Sequence, residues 1–346
     1  MIKTKLLDLV GEGLTYPIIQ GGMGPFETPR LATAVSNAGG LGMISPWGFV
    51  SEPYISCVEK VKRDIEYVKN NSEGPFGVNI RLPRQEPETM DMLRAVLDAR
   101  EKNAEVARRL KVVVTSAGSP FPPSQEIRRR DPHLLHFHVA PTLYHAKKVE
   151  EAKCTAVVAA GYEGGGHQSY EEVSTLVLVP EVVNSMKIPV IASGGFSDGK
   201  GLAAALAMGA IGIQMGTRFI ATQECEFHTK YKELILNAQD KDTGVIQGAF
   251  GHIRLLKNKY VREHQELLTK QEKIDVEKTM SLKERNEEIK KYELIYQGDA
   301  ESGAIPCGES CGNIYDIPTV KELIERIIFE AEVALQKCGD LFGLKD

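Results

Sequence analysis

Between residues 17 and 215 eight short apolar runs recur, each separated from the next by a longer amphipathic stretch. This is the pattern of parallel strands joined by crossover helices, because a parallel pair cannot be connected by a tight turn. The predicted strands are Pro17–Gln20, Leu41–Ser45, Phe76–Ile80, Lys111–Ser116, Leu134–Val139, Thr155–Ala160, Pro189–Ser193 and Ile211–Met215. Helices are predicted at Pro29–Ala38, Glu52–Lys69, Glu88–Arg109, Leu143–Ala152, Leu176–Met186 and Lys200–Met208. Eight such units favour an α/β fold of the closed (β/α)8 TIM-barrel type over an open doubly wound sheet, since closure leaves no strand edge to protect. The open sheet also lacks its phosphate turn: no Gly-x-Gly-x-x-Gly follows a predicted strand, and Gly39-Gly40-Leu41-Gly42 precedes one.

The barrel is expected to occupy residues 1–239. Beyond Asp240 the texture changes, and Leu255 to Tyr292 is densely charged with widely spaced Leu, Ile and Val, which reads as exposed helices outside the barrel. Residues 240–312 are therefore assigned to a smaller, mostly helical unit, either a solvated decoration or a lid and substrate domain over the mouth. Residues 313–346 are assigned to a C-terminal helix, with Thr319 to Leu335 packing back on the wall.

Composition narrows the partners. The 346 residues are 42% hydrophobic and 26% charged, with a net charge of −5 and both signs interspersed, which offers no footprint for nucleic acid or an anionic membrane. The first ten residues carry Lys3, Lys5 and Asp8, and no run of eighteen uncharged apolar residues occurs, so a cytoplasmic enzyme with a small-molecule substrate is expected. A homodimer is among the assemblies left open. The six cysteines are scattered, and the pair Cys307 and Cys311 has no second pair at metal-ligand spacing; it reads as a structural turn, and no metal is expected.

Two glycine turns follow the last two predicted strands. Ser193-Gly194-Gly195 and Gln214-Met215-Gly216-Thr217 would let backbone N–H groups approach an anion, with Thr217 adding a hydroxyl, and the loops after strands seven and eight are the usual phosphate site of a barrel. Glycine ends many strands without a ligand; two such turns at these two positions are the informative feature. After strand six, Gly161-Tyr162-Glu163-Gly164-Gly165-Gly166-His167 forms a loop against which a flat ligand can lie while one imidazole projects into the mouth. After strand one, Gln20-Gly21-Gly22-Met23-Gly24 is either a tight turn or a second surface for a ring, and Asn79 at the end of strand three can meet a heteroaromatic edge.

Pro17-Ile18-Ile19-Gln20-Gly21-Gly22-Met23, Ala34-Val35-Ser36-Asn37-Ala38-Gly39-Gly40-Leu41-Gly42, Phe76-Gly77-Val78-Asn79, Glu163-Gly164-Gly165-Gly166-His167 and Ala192-Ser193-Gly194-Gly195 together resemble the nitronate monooxygenase (2-nitropropane dioxygenase) family, which includes the FMN-dependent enoyl-acyl carrier protein reductase II. The resemblance runs from about Pro17 to the C-terminus. It implies an FMN flavoprotein in which Gly194, Gly195, Gly216 and Thr217 hold the phosphate. Gly22, Met23, Asn79 and Gly165 line the flavin, accompanied by Glu163, Gly166, Ser193 and Gln214. His167 matches the family's active-site histidine, although Ser169 stands where a glycine usually follows it.

The two branches of the family leave two chemistries open. Thr28-Pro29-Arg30-Leu31 and Pro83 resemble the nitronate oxidisers, which use oxygen. Gln20-Gly21-Gly22-Met23, Gly216-Thr217-Arg218-Phe219 and Phe250-Gly251-His252-Ile253-Arg254-Leu255-Leu256-Lys257-Asn258 resemble the enoyl reductases, which take NAD(P)H as reductant. Nitronate oxidation is the expectation on the breadth of the family, enoyl-thioester reduction the alternative, and an NADH:quinone reductase or a non-catalytic flavin-binding protein stand behind both.

Overall fold

A computed structural model describes residues 2–24, 26–46, 55–82, 88–264 and 270–341. In chain order the strands are β1 (Ile18–Gln20), β2 (Gly42–Ile44), β3 (Phe76–Arg81), β4 (Leu110–Ser116), β5 (Leu135–Ala140), β6 (Ala156–Ala160), a two-residue β7 (Gly166–His167), β8 (Val190–Ser193), β9 (Ile213–Met215), β10 (Thr243–Gly248) and β11 (Gly251–Leu256). Eight of them form one parallel sheet in the order β1-β9-β8-β6-β5-β4-β3-β2. A parallel bridge between Ile19 and Leu41 joins its two ends, so the barrel closes where the sequence predicts it to.

Alternation along the strands explains both faces of the wall. Val112, Val114, Phe137, Ala156, Val158 and Ile191 point inward with Ile19, Leu41 and Met43 and fill the lumen. Leu6 and Val10, from the helix Lys5–Val10, belong to the same apolar cluster and plug its lower end. The intervening residues face the helices; Val113, for example, packs with Val61, Val96 and Ile127 outside the wall.

Several helices depart from the predicted bounds for local reasons. The stretch predicted as one helix from Glu88 breaks into Thr89–Lys102 and Ala104–Arg109 at Asn103, whose side chain accepts the Glu105 and Val106 N–H groups and restarts the helix. The helix Cys57–Asn71 begins at a Ser56/Glu59 capping box. The predicted start at Glu52, like Pro83, lies outside the described residues. A further helix, Phe121–Arg130, connects β4 to β5.

Residues 240–312 contain a β-hairpin as well as helices. β10 and β11 pair antiparallel from Thr243↔Leu256 to Gly248↔Gly251, so that only Ala249 and Phe250 form the turn. β7 adds to the other edge of β11 through Ile253↔His167 and Arg254↔Gly166. The helices Lys259–Glu263, Lys270–Thr279 and Leu282–Tyr296 follow. Ile246, Ile253, Leu255, Tyr292 and Ile295 share one buried cluster with barrel-side Ala159, Ala192 and Met215, which fixes this unit on the barrel. The last helix, Val320–Leu341, buries Leu323, Ile324, Ile327, Ile328 and Ala331 at helical spacing against the wall. No described helix is long and apolar enough to cross a membrane.

Candidate functional site

Gly22, Asn79, Gly194 and Gln214, singled out by the sequence, lie at or just beyond the C-terminal ends of the barrel strands, which is the face where this fold places its chemistry. A Cβ on Gly22 would overlap the Asn79 amide, so the loop after β1 lies directly on the end of β3. A Cβ on Gly21 would stand 3.5 Å from Gln214 Nε2 of β9, and one on Gly164 would stand 3.7 Å from the Gly194 Cα after β8. The Met23 N–H donates to Ser45 Oγ at 2.9 Å, and the Gln20 amide clamps Met43 from both sides, its Nε2 donating to the carbonyl and its Oε1 accepting the N–H. These contacts tie the strand ends into one rim.

Gly194 and Gly195 adopt φ of +91° and +80°, a left-handed backbone that a side chain resists. A Cβ on Gly194 would stand 2.7 Å from the Gly161 carbonyl oxygen, whereas Gly195 faces only the Glu163 side chain and Gly216 faces open space. The Glu163 carboxylate is committed to Thr175, accepting its N–H at 2.9 Å and its hydroxyl at 2.7 Å, and so fixes the glycine loop to the next helix. Thr217 Oγ1 accepts the Gly308 N–H at 2.9 Å, and the hydroxyl also bonds the Cys307 side chain. A Cβ on Gly165 would lie 2.5 Å from that same Gly308 nitrogen, so the segment after Cys307 closes the floor beneath the loop. Gln214 is 7% exposed and its Oε1 has no hydrogen-bond partner among the described residues.

His167 sits on β7 and not at the end of a barrel strand, because Gly166 turns the chain out of the loop and hands it to the hairpin. Its side chain is 25% exposed, yet Nε2 is sealed and lacks a hydrogen bond; 3.9 Å away stands Glu288 Oε1. Burial, reinforced by the Arg81 guanidinium, holds the imidazole well below its ordinary pKa and therefore neutral. Glu288 is 6% exposed on the helix Leu282–Tyr296; burial raises its pKa, opposed by hydrogen bonds from the Tyr292 hydroxyl at 2.7 Å and from the Ala249 N–H. Phe250, the other turn residue, meets the His167 ring edge-on with centroids 6.1 Å apart, and the Arg81 guanidinium lies 4.9 Å from the Phe250 centroid.

Arg81, Phe250, Glu288 and Tyr292 are thus site residues the sequence reading omits. Glu288 is one acid in a helix full of them, and only its burial distinguishes it. Cys307 and Cys311 are both buried and reduced, and no group of three metal-ligand side chains occurs among the described residues.

With this geometry in hand, known proteins align over the same span. A solved structure of FabK from Thermotoga maritima superposes with a TM-score of 0.83 at 34% identity, covering 99% of this chain and 100% of that one. The (3aS,4S,5R,7aS)-5-hydroxy-7a-methyl-1-oxo-octahydro-1H-indene-4-carboxyl-CoA dehydrogenase of Rhodococcus jostii is 30% identical over 98% of this chain and 99% of its own length. A probable nitronate monooxygenase of Staphylococcus aureus is also 30% identical, over 72% of this chain and 78% of its own. The nitronate monooxygenase family profile matches residues 4–330, and this chain, an oxidoreductase on a (β/α)8 barrel, belongs to that family.

Proposed function

We propose that the protein is an FMN-dependent oxidoreductase whose substrate is an acyl thioester, with NAD(P)H as the reductant. The cradle fits FMN: two left-handed glycines, an open position at Gly216, the Thr217 hydroxyl, and a Gln214 Oε1 without a partner among the described residues leave room and polar groups for a phosphate-bearing ring. Gly194, Gly195, Gly216 and Thr217 would hold the phosphate. Gly22, Met23, Asn79, Gly165 and Gly166 would border the flavin, with Glu163 and Ser193 fixing the loops behind it. One phosphate cradle without a dinucleotide fingerprint favours FMN over FAD. Bound FMN supplies a two-electron carrier at the mouth.

The thioester is favoured by the neutral His167 beside a protonatable Glu288 under the apolar Phe250 tip. A neutral donor suits a neutral thioester carbonyl, whereas Glu288 when ionised repels an anionic nitronate. The relatives matched end to end, hairpin included, include FabK, an enoyl-acyl carrier protein reductase II, and a carboxyl-CoA dehydrogenase at 34% and 30% identity, and a nitroalkane oxidase at 25%. Nitronate oxidation is the second reading, favoured by the Arg81 cation that faces the same imidazole.

The test is anaerobic mixing of purified protein with NADH, NADPH or an alkyl nitronate while flavin absorbance is followed, then challenge with a short enoyl-CoA, a quinone or oxygen. Rapid bleaching by a pyridine nucleotide and recovery of colour with enoyl-CoA is expected. Bleaching by nitronate alone with recovery by oxygen would promote the second reading, and recovery only with quinone would overturn both. Protein that binds no FMN would overturn the cofactor assignment.

A further inference from the structure

The fold spends a helix and a hairpin turn on placing one carboxyl group against the sealed nitrogen of His167. Gly248 leaves room for it: a Cβ there would come within 2.8 Å of Glu288 Oε2. The Ala249 N–H holds Oε2 and the Tyr292 hydroxyl holds Oε1, while the Ser281/Glu284 capping box fixes the start of the helix that carries both side chains. His167 Nε2 faces this carboxyl and has no hydrogen bond among the described residues, while the side chain is 25% exposed. The 3.9 Å gap needs about 1 Å of side-chain rotation to become a hydrogen bond.

We propose that Glu288 decides which nitrogen of His167 carries the proton, and that the two together move a proton between substrate and protein without forming an imidazolium. With Glu288 ionised, Nε2–H donates to Oε1 and Nδ1 presents a lone pair to the mouth. When Nδ1 takes a proton from the substrate, the Nε2 proton passes to Oε1, leaving a carboxylic acid and a neutral Nδ1–H imidazole. In the reverse sense Nδ1–H protonates the substrate, and the Glu288 proton returns to Nε2. One proton is gained or lost in each direction and no other co-reactant is required. Burial supports this division, because it penalises a charged imidazole and raises the pKa of the carboxyl. The charged and titratable groups facing the pair are Arg81 from β3, Tyr292 from the same helix as Glu288, and Tyr260 and His264 from the helix Lys259–Glu263 and the residue after it.

The inference deepens the proposed thioester chemistry and rests on it for the substrate, but its primary readout uses neither substrate nor turnover. The full-length protein would be labelled with 15N-histidine, with His167→Asn identifying the His167 signals, and the tautomer read from about pH 5 to about pH 9. In the wild type the proton is expected on Nδ1 at low pH and on Nε2 at high pH. In Glu288→Gln the amide N–H donates to Nε2 and Nδ1–H is expected throughout. Tyr292→Phe, which removes a donor to the carboxylate, is expected to move the wild-type switch to higher pH. In turnover, Glu288→Gln should lower kcat roughly 10²-fold with KM little changed and remove one limb of the pH profile. One tautomer at every pH in the wild type, shared by Glu288→Gln, would overturn the proposal while leaving the FMN assignment intact. A tautomer switch in a protein that fails the thioester assay would sustain the proposal and overturn the thioester reading.

Discussion

Acid should weaken this barrel through two histidines that have no part in the mouth. His136 and His138 face outward from β5, and Thr115 faces outward from the neighbouring β4; Thr115 Oγ1 lies 2.7 Å from His136 Nε2 and 2.6 Å from His138 Nδ1. Cys154 Sγ is 3.3 Å from His136 Nδ1, and the far nitrogen of His138 meets the Gly118 carbonyl. One hydroxyl proton serves two imidazoles, so the chain has a consistent direction: Cys154 donates to His136, His136 to Thr115, Thr115 to His138, and His138 to the carbonyl. Every link needs neutral rings, and burial lowers the two pKa values to about 3 for His136 and about 4 for His138. The unfolded chain binds these protons near pH 6.5 and the native state does not, so stability is complete above pH 6.5 and falls as pH drops toward 4 and 3. At pH 5 the loss is about 1.4 kcal/mol for each of the 1.5 units below 6.5, or about 2 kcal/mol per histidine and about 4 kcal/mol for the pair. That is a large share of a domain stability of about 5–15 kcal/mol. Glu226, raised by burial to about 7, and Asp64, raised to about 6, act in the opposite sense, so the wild-type slope alone is not diagnostic. The assay is urea unfolding at pH 8 and pH 5 for the wild type, His136→Gln and His138→Asn, in which an amide occupies the place of the ring nitrogen that meets Thr115. Each variant should be less stable at pH 8, and the stability it loses between the two pH values should be smaller than the wild type's by about 2 kcal/mol. Variants with the wild-type difference would refute the assignment of neutral buried rings.

Three further outcomes are expected. Gly194→Val places a branched side chain at φ +91° and 2.7 Å from the Gly161 oxygen, and should abolish FMN retention on gel filtration while far-UV circular dichroism stays largely intact; full FMN occupancy would remove the phosphate assignment. Gly22→Ala drives a methyl into the Asn79 amide and should cost about 1–3 kcal/mol in thermal unfolding, with weaker FMN binding; an unchanged melting temperature would show that the loop after β1 yields freely. His167→Ala and His167→Asn should retain FMN yet lower turnover roughly 10²-fold or more, and unchanged kinetics in both would return His167 to a structural role.

The barrel was legible because its signals are local. A strand buried on both faces is a short apolar run, and a strand end that must leave room for a backbone or a ligand is a glycine, so residues as separated as Gly22, Asn79, Gly194 and Thr217 could be assigned to one rim without coordinates. The hairpin was not legible. Its alternation is broken by Gly244 and Gly248, its turn is Ala249-Phe250 with none of the Asn-Gly or Asp-Gly signals of a two-residue loop, and charged helices follow it directly. His167 was found by its glycines but placed on the wrong element, since nothing in Gly166-His167 indicates that a strand nearly ninety residues later will pair with it. Glu288 was invisible for a different reason: burial is what makes that carboxyl unusual, and burial depends on Gly248 and Tyr292 meeting it in space.

This contrast divides the site by origin. The barrel supplies glycine turns and amide groups, parts suited to holding a phosphate and a flat ring, and they are short-range features of strand ends. The hairpin and the helix Leu282–Tyr296 supply Phe250, the Ala249 N–H, Glu288 and Tyr292, which set the polarity and proton state of the one imidazole at the mouth. Changing substrate therefore need not disturb the cradle, whereas any change in the turn or in the register of that helix alters what His167 can donate or accept. A chimera carrying a foreign segment in place of residues 243–296 should then keep its flavin and lose its reaction. Loss of FMN from a folded chimera would show that the two halves of the site are built jointly.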